Sequence, residues 1–329
     1  MVIKGERGVA LVLALAVIAL LVSLVVDFSY TMMVDLTLAA NLRDGQKAFY
    51  AARSGEELAR HVLQKDNLEY DALDEDWALL PDHPGFFAAD DEGKFKVTIE
   101  DEAGKFPINK LVSGEKGKKQ VDGERLEQLK KLFDVLELDP ELVYPIIDWL
   151  DSDSESQPLG AEDAYYQGLP SPYACKNGPL DSLDELLLVK GMTKEILYGT
   201  EEKKGLIHFL TLYSDADETK LNININTASA DVIQSLSPDV TQNYAQAIVD
   251  YLKEKPLTGK EQTEWDNVIR PLVGGSADIS SYLHGQCVIQ SSYFSLRVEG
   301  QVRDIKKVIY TVLKREEKEG VKPIFWRIE

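Results

Sequence analysis

Residues Val9–Val26 (VALVLALAVIALLVSLVV) contain neither a charge nor a proline, and they follow a short leader ending in Arg7-Gly8. As a helix rising about 1.5 Å per residue, the run is about 27 Å long, close to the hydrocarbon thickness of a bilayer. Three kinds of object can begin this way. A cleaved secretory signal has an apolar stretch of about 7–15 residues followed by a small-residue site. Here the run is longer, although Leu38-Ala39-Ala40 could pass as a weak site. A plain membrane anchor fits the length, and Lys4 and Arg7 favour a cytoplasmic N-terminus. A third object fits more of the sequence. In it, Gly8 is a processing point and the apolar run is the first half of a longer helix.

The apolar pattern does not stop where a membrane would. Met32, Met33, Leu36, Leu38, Leu42, Phe49, Leu58 and Val62 carry it beyond Asp27 to about Leu63, interrupted only by Gly45 and Gly55. That predicts one helix, half in lipid and half amphipathic and packed on a domain. Type IV pilins and the pseudopilins of type II secretion look like this. The resemblance implies that a prepilin peptidase cuts after Gly8 and methylates Val9. Most members carry a Glu at the fifth residue after the cut, where this chain has Leu13. In that family the carboxylate is thought to pair with the N-terminus of a neighbouring subunit. A lone carboxylate near a bilayer centre costs about 2.5–3.5 kcal/mol, so a subunit with none above it does better with an apolar residue. Leu13 therefore points to a first, or tip, subunit.

With 329 residues the chain has room for two or three domains, and 44% hydrophobic residues suffice to bury a core. The formal charge of −20 argues against nucleic acid as the main partner, because duplex binding is driven by Lys and Arg. It suits solvated acidic faces, or a divalent cation drawn to clustered carboxylates. The two cysteines, Cys175 and Cys287, form no CxxC pair, which argues against structural zinc. A disulfide between them is permitted outside the cytoplasm and is not required.

After an acidic connection over 66–93, Lys94–Asn109 alternates apolar and polar residues around Glu-Ala-Gly, the pattern of a strand pair. A second pair, Cys287–Asp304 and Lys306–Glu316, is joined by a short charged turn. Between them, helical spacing marks Glu124–Leu136, Pro140–Leu150, Asp181–Leu188, Lys194–Tyr198, Ala228–Leu236, Asn243–Leu252 and Thr263–Leu272. So few strands cannot fold apart from one another. The expected fold is α+β: a pilin-like long N-terminal helix on a small antiparallel β-sheet, with a large inserted all-α domain. The divisions are a leader over 1–8, the membrane and amphipathic helix over 9–65, and a first part of the α/β domain over 66–111. The insert then spans 112–285 and the C-terminal strands 286–329.

Asn224–Leu252 (NINTASADVIQSLSPDVTQNYAQAIVDYL) is similar to the helix-hairpin-helix modules of DNA-binding competence receptors, with Thr227 or Asn226 placed to cap the first helix. Its hairpin, Ser237-Pro238-Asp239-Val240, lacks glycine and carries a carboxylate that would repel phosphate. The hairpin therefore reads as structural. Asp148–Leu169 (DWLDSDSESQPLGAEDAYYQGL) crowds Asp148, Asp151, Asp153, Glu155, Glu162 and Asp163 together, with Tyr165 and Tyr166 placed to pack beneath. Oxygen ligands without His or Cys suit a hard ion, which outside the cell means Ca²⁺. The spacing is not that of a twelve-residue calcium loop, and a solvated acidic loop is the competing reading. The four histidines (His61, His83, His208 and His284) fall in no ligand motif, and no nucleophile elbow or phosphate loop is present, so no catalytic site is expected.

RGVALVLALAVIALL, IIDWLDSDSESQPLGAEDAYY, GPLDSLDELLLVKGMTKEIL and LNININTASADVI, in that order, together resemble the minor pseudopilin K family of the bacterial type II secretion system. The resemblance implies a pilin-like domain with a calcium-binding α insert. It also implies a tip complex with minor pseudopilins I and J that nucleates a pseudopilus of the major pseudopilin. The chain would sit in the inner membrane with its C-terminal domain in the periplasm, facing the secretin channel or exported cargo. The rival is a membrane-tethered DNA receptor, and a secreted enzyme maturing near Asn41 is a third possibility.

Overall fold

The computed structural model describes residues 6–80, 93–113, 120–215, 220–316 and 318–329. The start of the expected leader, the His83 region and part of the acidic connection lie outside them. Helix α1 runs unbroken over Glu6–Lys65. Its first half is exposed from Val9 to Ala39, and the stretch from Val9 is apolar enough to cross a membrane. In its second half Ala48, Ala52, Ala59 and Leu63 are fully buried at spacings of four and seven residues, which puts them on one face.

That face lies on a four-stranded antiparallel sheet of order β1-β8-β9-β10. Its strands are β1 (Lys94–Asp101), β8 (Tyr293–Val302), β9 (Ile305–Glu316) and β10 (Gly320–Ile328). Two glycines set how closely helix and sheet approach. A Cβ on Gly300 in β8 would sit 2.0 Å from the Ala48 carbonyl oxygen and 2.6 Å from the Ala52 nitrogen. A Cβ on Gly55 would meet Phe95 and Val298 at 2.7 Å. Gly55, which interrupts the apolar pattern in sequence, is thus a contact point. Trp77 from the short helix α2 (Asp76–Leu79) closes this core edge-on against Phe294, with ring centroids 5.2 Å apart.

Between β1 and β8 the chain leaves the sheet to form a second unit with its own core, which runs from Phe106 to Ile289. Among the described residues it holds three two-stranded ladders: β2 (Phe106–Pro107) with β5 (Leu210–Thr211), β3 (Val112–Ser113) with β4 (Gln120–Val121), and β6 (Ile223–Asn224) with β7 (Cys287–Val288). The helices are α3 (Gly123–Val135), α4 (Val143–Leu150), α5 (Asp163–Tyr166), α6 (Lys194–Tyr198), α7 (Ala230–Ser235), α8 (Gln242–Glu254), α9 (Gln262–Leu272) and α10 (Ala277–Gln286). This is the α+β architecture expected from the sequence.

Several local expectations are corrected. Lys94–Asn109 is not a strand pair. Asp101 accepts a hydrogen bond from the Ala103 amide, caps a 3-10 turn over Glu102–Gly104, and turns the chain out of the sheet. Cys287–Asp304 is not one strand either, since β7 pairs inside the insert before β8 begins. Asp181–Leu188 is a 3-10 helix over Leu183–Leu188, closed by a capping box between Ser182 and Glu185. The edge strand β10 and helix α10 were not anticipated.

A buried polar hub joins the two units. Asp101 Oδ2 accepts from Ser291 Oγ and Thr227 Oγ1, both at 2.6 Å, and from Asn224 Nδ2 at 3.0 Å. Asn226 donates to the carbonyls of Asp71 and Leu257 and accepts from the Leu257 amide. Arg315 reaches Asp66 at 2.8 Å and both carboxylate oxygens of Asp71. The α7 cap is therefore Ser229, which accepts from the Val232 amide. Thr227 and Asn226, expected there, hold the domain junction instead.

Candidate metal centre

Helix α4 ends at Leu150, and the next residue, Asp151, takes extended backbone angles and opens the acidic loop. The six acids expected to share a cation divide into two groups. Asp148 is fully buried and saturated from within the chain, by the Ala161 amide at 2.7 Å, the Gln157 amide at 3.1 Å and Ser156 Oγ at 3.1 Å. Gly160 is what lets the loop pass so close, because a Cβ there would fall 2.0 Å from Asp148 Oδ2. Asp163 accepts from the Cys175 amide at 2.7 Å, and Glu155 is exposed. These three acids shape the loop and lie outside the trio that converges.

The other three converge. Asp151, Asp153 and Glu162 each bring a carboxylate oxygen within 4.8 Å of the others. Asp151 is 2% exposed and Glu162 6%. Asp151 Oδ1 and both oxygens of Glu162 are buried without a hydrogen-bond partner. Such orphaned acceptors are uncommon in native proteins and imply a missing donor or ion. Burial, reinforced by the charges of Asp148, Asp151 and Asp153, pushes the Glu162 carboxyl up to about 7. Burial, with Asp153 and then Asp148, pushes Asp151 up to about 6. No Lys or Arg ion-pairs with any of the three among the described residues. A hard cation would supply the charge that the chain does not, so the donor set fits Ca²⁺.

The comparison within the molecule is instructive. Asp66, Asp71 and Glu75 cluster just as tightly, but Arg315 already lies among them. That trio has its cation.

Beneath the centre, Trp149 and Tyr166 pack edge-on with centroids 5.2 Å apart, and Tyr173 lies 5.3 Å from Tyr166. Tyr165 packs edge-on against Tyr166, with centroids 5.2 Å apart, but its outer side is exposed and the Lys190 ammonium lies 5.1 Å from its ring centroid. The loop at 173–178 closes the far wall. Cys175 Sγ donates to the Asp148 carbonyl, and the Gly178 amide donates to the Trp149 carbonyl. Asn177 Nδ2 donates to the Asp153 carbonyl at 3.0 Å, while Asn177 Oδ1 is buried and unpartnered. Being uncharged, Asn177 gave no sign of itself in the sequence. The permitted disulfide is not formed. Cys175 and Cys287 are both free and buried, the first in this wall and the second in the β6–β7 ladder.

Helices α7 and α8 pack as the expected helix-hairpin-helix. In the turn between them the Val240 amide donates to the Ser237 carbonyl, and the Asp239 amide to Ser237 Oγ. Lys131 Nζ bonds the carbonyls of Ser237 and Pro238. These amides are used internally rather than turned toward an anion. At the other end, Gly8 and Val9 lie in the first turns of α1, and Leu13 is 60% exposed on the apolar rod.

A rod helix laid across a small antiparallel sheet, with an α-helical unit spliced between neighbouring strands, defines a pilin-like protein. The fold is shared with a chain of the GspK-GspI-GspJ complex from the enterotoxigenic Escherichia coli type 2 secretion system. The TM-score is 0.66 at 20% identity, covering 88% of this chain and 99% of that one. Residues 104–200 match the family model described as type II secretion system (T2SS), protein K. Relatives named type II secretion system protein K include one from Pseudomonas aeruginosa, 28% identical over 95% of this chain and 90% of the relative. Another, from Aeromonas hydrophila, is 29% identical over 95% of this chain and 94% of its own length. The chain is a relative of type II secretion system protein K, the family its motifs resemble.

Proposed function

We propose that the chain is a non-enzymatic minor pseudopilin at the tip of a type II secretion pseudopilus. The observation that carries this reading is α1 itself, a single helix whose exposed apolar half continues without a break into a half buried on the sheet. An anchor needs only the first half, and a soluble domain only the second. A subunit that is stored in a membrane and then stacked through its rod needs both. Within lipid, apolar helices have no hydrophobic drive to pair, so the amphipathic half carries most of the contact energy.

On this reading a prepilin peptidase cuts after Gly8 and Val9 becomes the methylated N-terminus. Leu13, in place of an acid, suits a subunit with nothing stacked above it. The chain joins minor pseudopilins I and J in the inner membrane, nucleates a filament of the major pseudopilin, and turns its insert toward the secretin or the cargo in the periplasm. The solved structural neighbour is itself in a complex with GspI and GspJ. Asp151, Asp153 and Glu162 would hold Ca²⁺, whose charge would neutralise the buried carboxylates and fix the acidic loop as a rigid surface.

The test is the mature N-terminus of the full chain, extracted from cells that hold the whole secretion system. Mass spectrometry should find methylated Val9, and I- and J-type pseudopilins should co-purify with the chain. An intact Met1 together with no co-purifying pseudopilin would leave a plain membrane anchor and end the proposal.

A further inference from the structure

We infer that Asn177 supplies a neutral oxygen ligand to the cation centre, so that the ion joins three separate stretches of chain. The inference rests on the calcium reading above and adds a residue to it. Three observations converge on Asn177. Its Nδ2 is tethered to the carbonyl of Asp153, one of the three converging acids. That bond fixes which side of the amide is nitrogen, so the group left over is an oxygen. This oxygen is buried and has no donor, as are those of Asp151 and Glu162. Four orphaned acceptors on one loop cluster, with no donor among the described residues, are what a hard cation satisfies and what protein alone leaves unpaired.

The backbone supports the same role. Asn177 has φ of +49°, in the left-handed region that most side chains avoid and Asn tolerates. The amides on either side hold it there, Cys175 N on Asp163 and Gly178 N on the Trp149 carbonyl. The uncharged amide also suits the site's charge. Three carboxylates already exceed the charge of a divalent ion, and a fourth acid would add repulsion where an amide oxygen adds only a dipole. The ion would then link the α4 end (Asp151, Asp153), the α5 start (Glu162) and the 173–178 wall. Next to Asn177, Lys176 ion-pairs with Asp181 and Glu185 at the entrance to the 183–188 helix, so the ordering extends to that turn.

The test uses the full chain in detergent, titrated with Ca²⁺ by calorimetry after chelator treatment. Asn177→Gly removes the oxygen while the left-handed backbone suits glycine. Asn177→Asp keeps an oxygen in place. The expected result is calcium affinity weakened at least tenfold in the glycine variant and weakened less in the aspartate variant, which keeps an oxygen but adds repulsion and loses the Nδ2 tether. Calcium should also slow tryptic cleavage after Lys176 in the parent and the aspartate variant, but not in the glycine variant. Equal affinity in parent and glycine variant overturns the inference and leaves the three-acid site standing. No calcium binding by the parent overturns the inference and the site together.

Discussion

Thr227 Oγ1 donates to Asp101 Oδ2 at 2.6 Å, a contact between residues 126 positions apart that joins the last residue of the first sheet strand to the insert. Asp101 also serves Ser291, Asn224 and the Ala103 amide. Asp101→Ala leaves the Ser291 hydroxyl and the Ala103 amide without an acceptor, whereas Asn224 Nδ2 keeps Ser291 Oγ and the Asp71 carbonyl, and Thr227 keeps the Asn224 carbonyl. Each group left unpaired costs about 1–3 kcal/mol. The expected outcome is a loss of about 3 kcal/mol or more in urea denaturation. Thr227→Val, which removes one donor and leaves the others paired, should lose much less.

The same hub sets a pH dependence. Burial, opposed by Arg315 and reinforced by Asp101, holds the Asp71 carboxyl up at about 7, and Asp66, Glu75 and Asp101 shift the same way through burial. Because the folded value lies above the unfolded one, near 4, the folded protein binds more protons between these limits. Stability should therefore fall as pH rises from about 4 to about 7 and then level off. Denaturation midpoints of the parent and Asp71→Asn, followed across that window, should diverge, with the parent falling more steeply. Parallel curves would refute the assignment.

Close approach of helix and sheet gives a third prediction. Gly300→Ala places a methyl 2.0 Å from the Ala48 carbonyl oxygen, and overpacking of this kind costs about 1–3 kcal/mol. Thermal melts of the full chain should show the loss, whereas Gly45→Ala, with nothing within 4 Å of its added Cβ, should hold or gain stability.

Metal removal supplies a fourth. At a hundred times its Kd, a ligand that binds only the folded state adds about 2.7 kcal/mol. Calcium should raise the melting temperature of the parent, and a chelator should reverse the rise. Glu162→Gln, which takes away a buried carboxylate without changing its shape, should abolish it.

The cysteines give a fifth. Burial pushes the thiols of both Cys175 and Cys287 up to about 12. In the native chain at pH 8 neither should react with an alkylating agent, and both should react in denaturant without prior reduction. A thiol that requires reductant would mean a disulfide.

The rod was legible because its signal is long and local: from Val9 to Leu63 nothing in the sequence breaks a helix. The insert's helices were legible for the same reason, from Leu126, Leu129, Leu132 and Phe133 in α3 to Ile248 and Leu252 in α8. Strand partnership was not. Lys94 pairs with Gln301 and Asp101 with Phe294, and alternation along Lys94–Asn109 carries no information about a partner some two hundred residues away. The acidic loop was legible as a cluster but not as a site. Whether Asp148 faces an ion or its own loop depends on the amides of Gln157 and Ala161, and these become neighbours only once Gly160 lets the chain fold back.

The register Asp101↔Phe294 places the exit and the return of the inserted unit opposite each other on adjacent strands. A splice of that kind behaves like a socket. Residues can be added to or lost from what is plugged in while the strand spacing and the rod beneath keep their dimensions. The part that stacks and the part that faces outward are thus free to change at different rates.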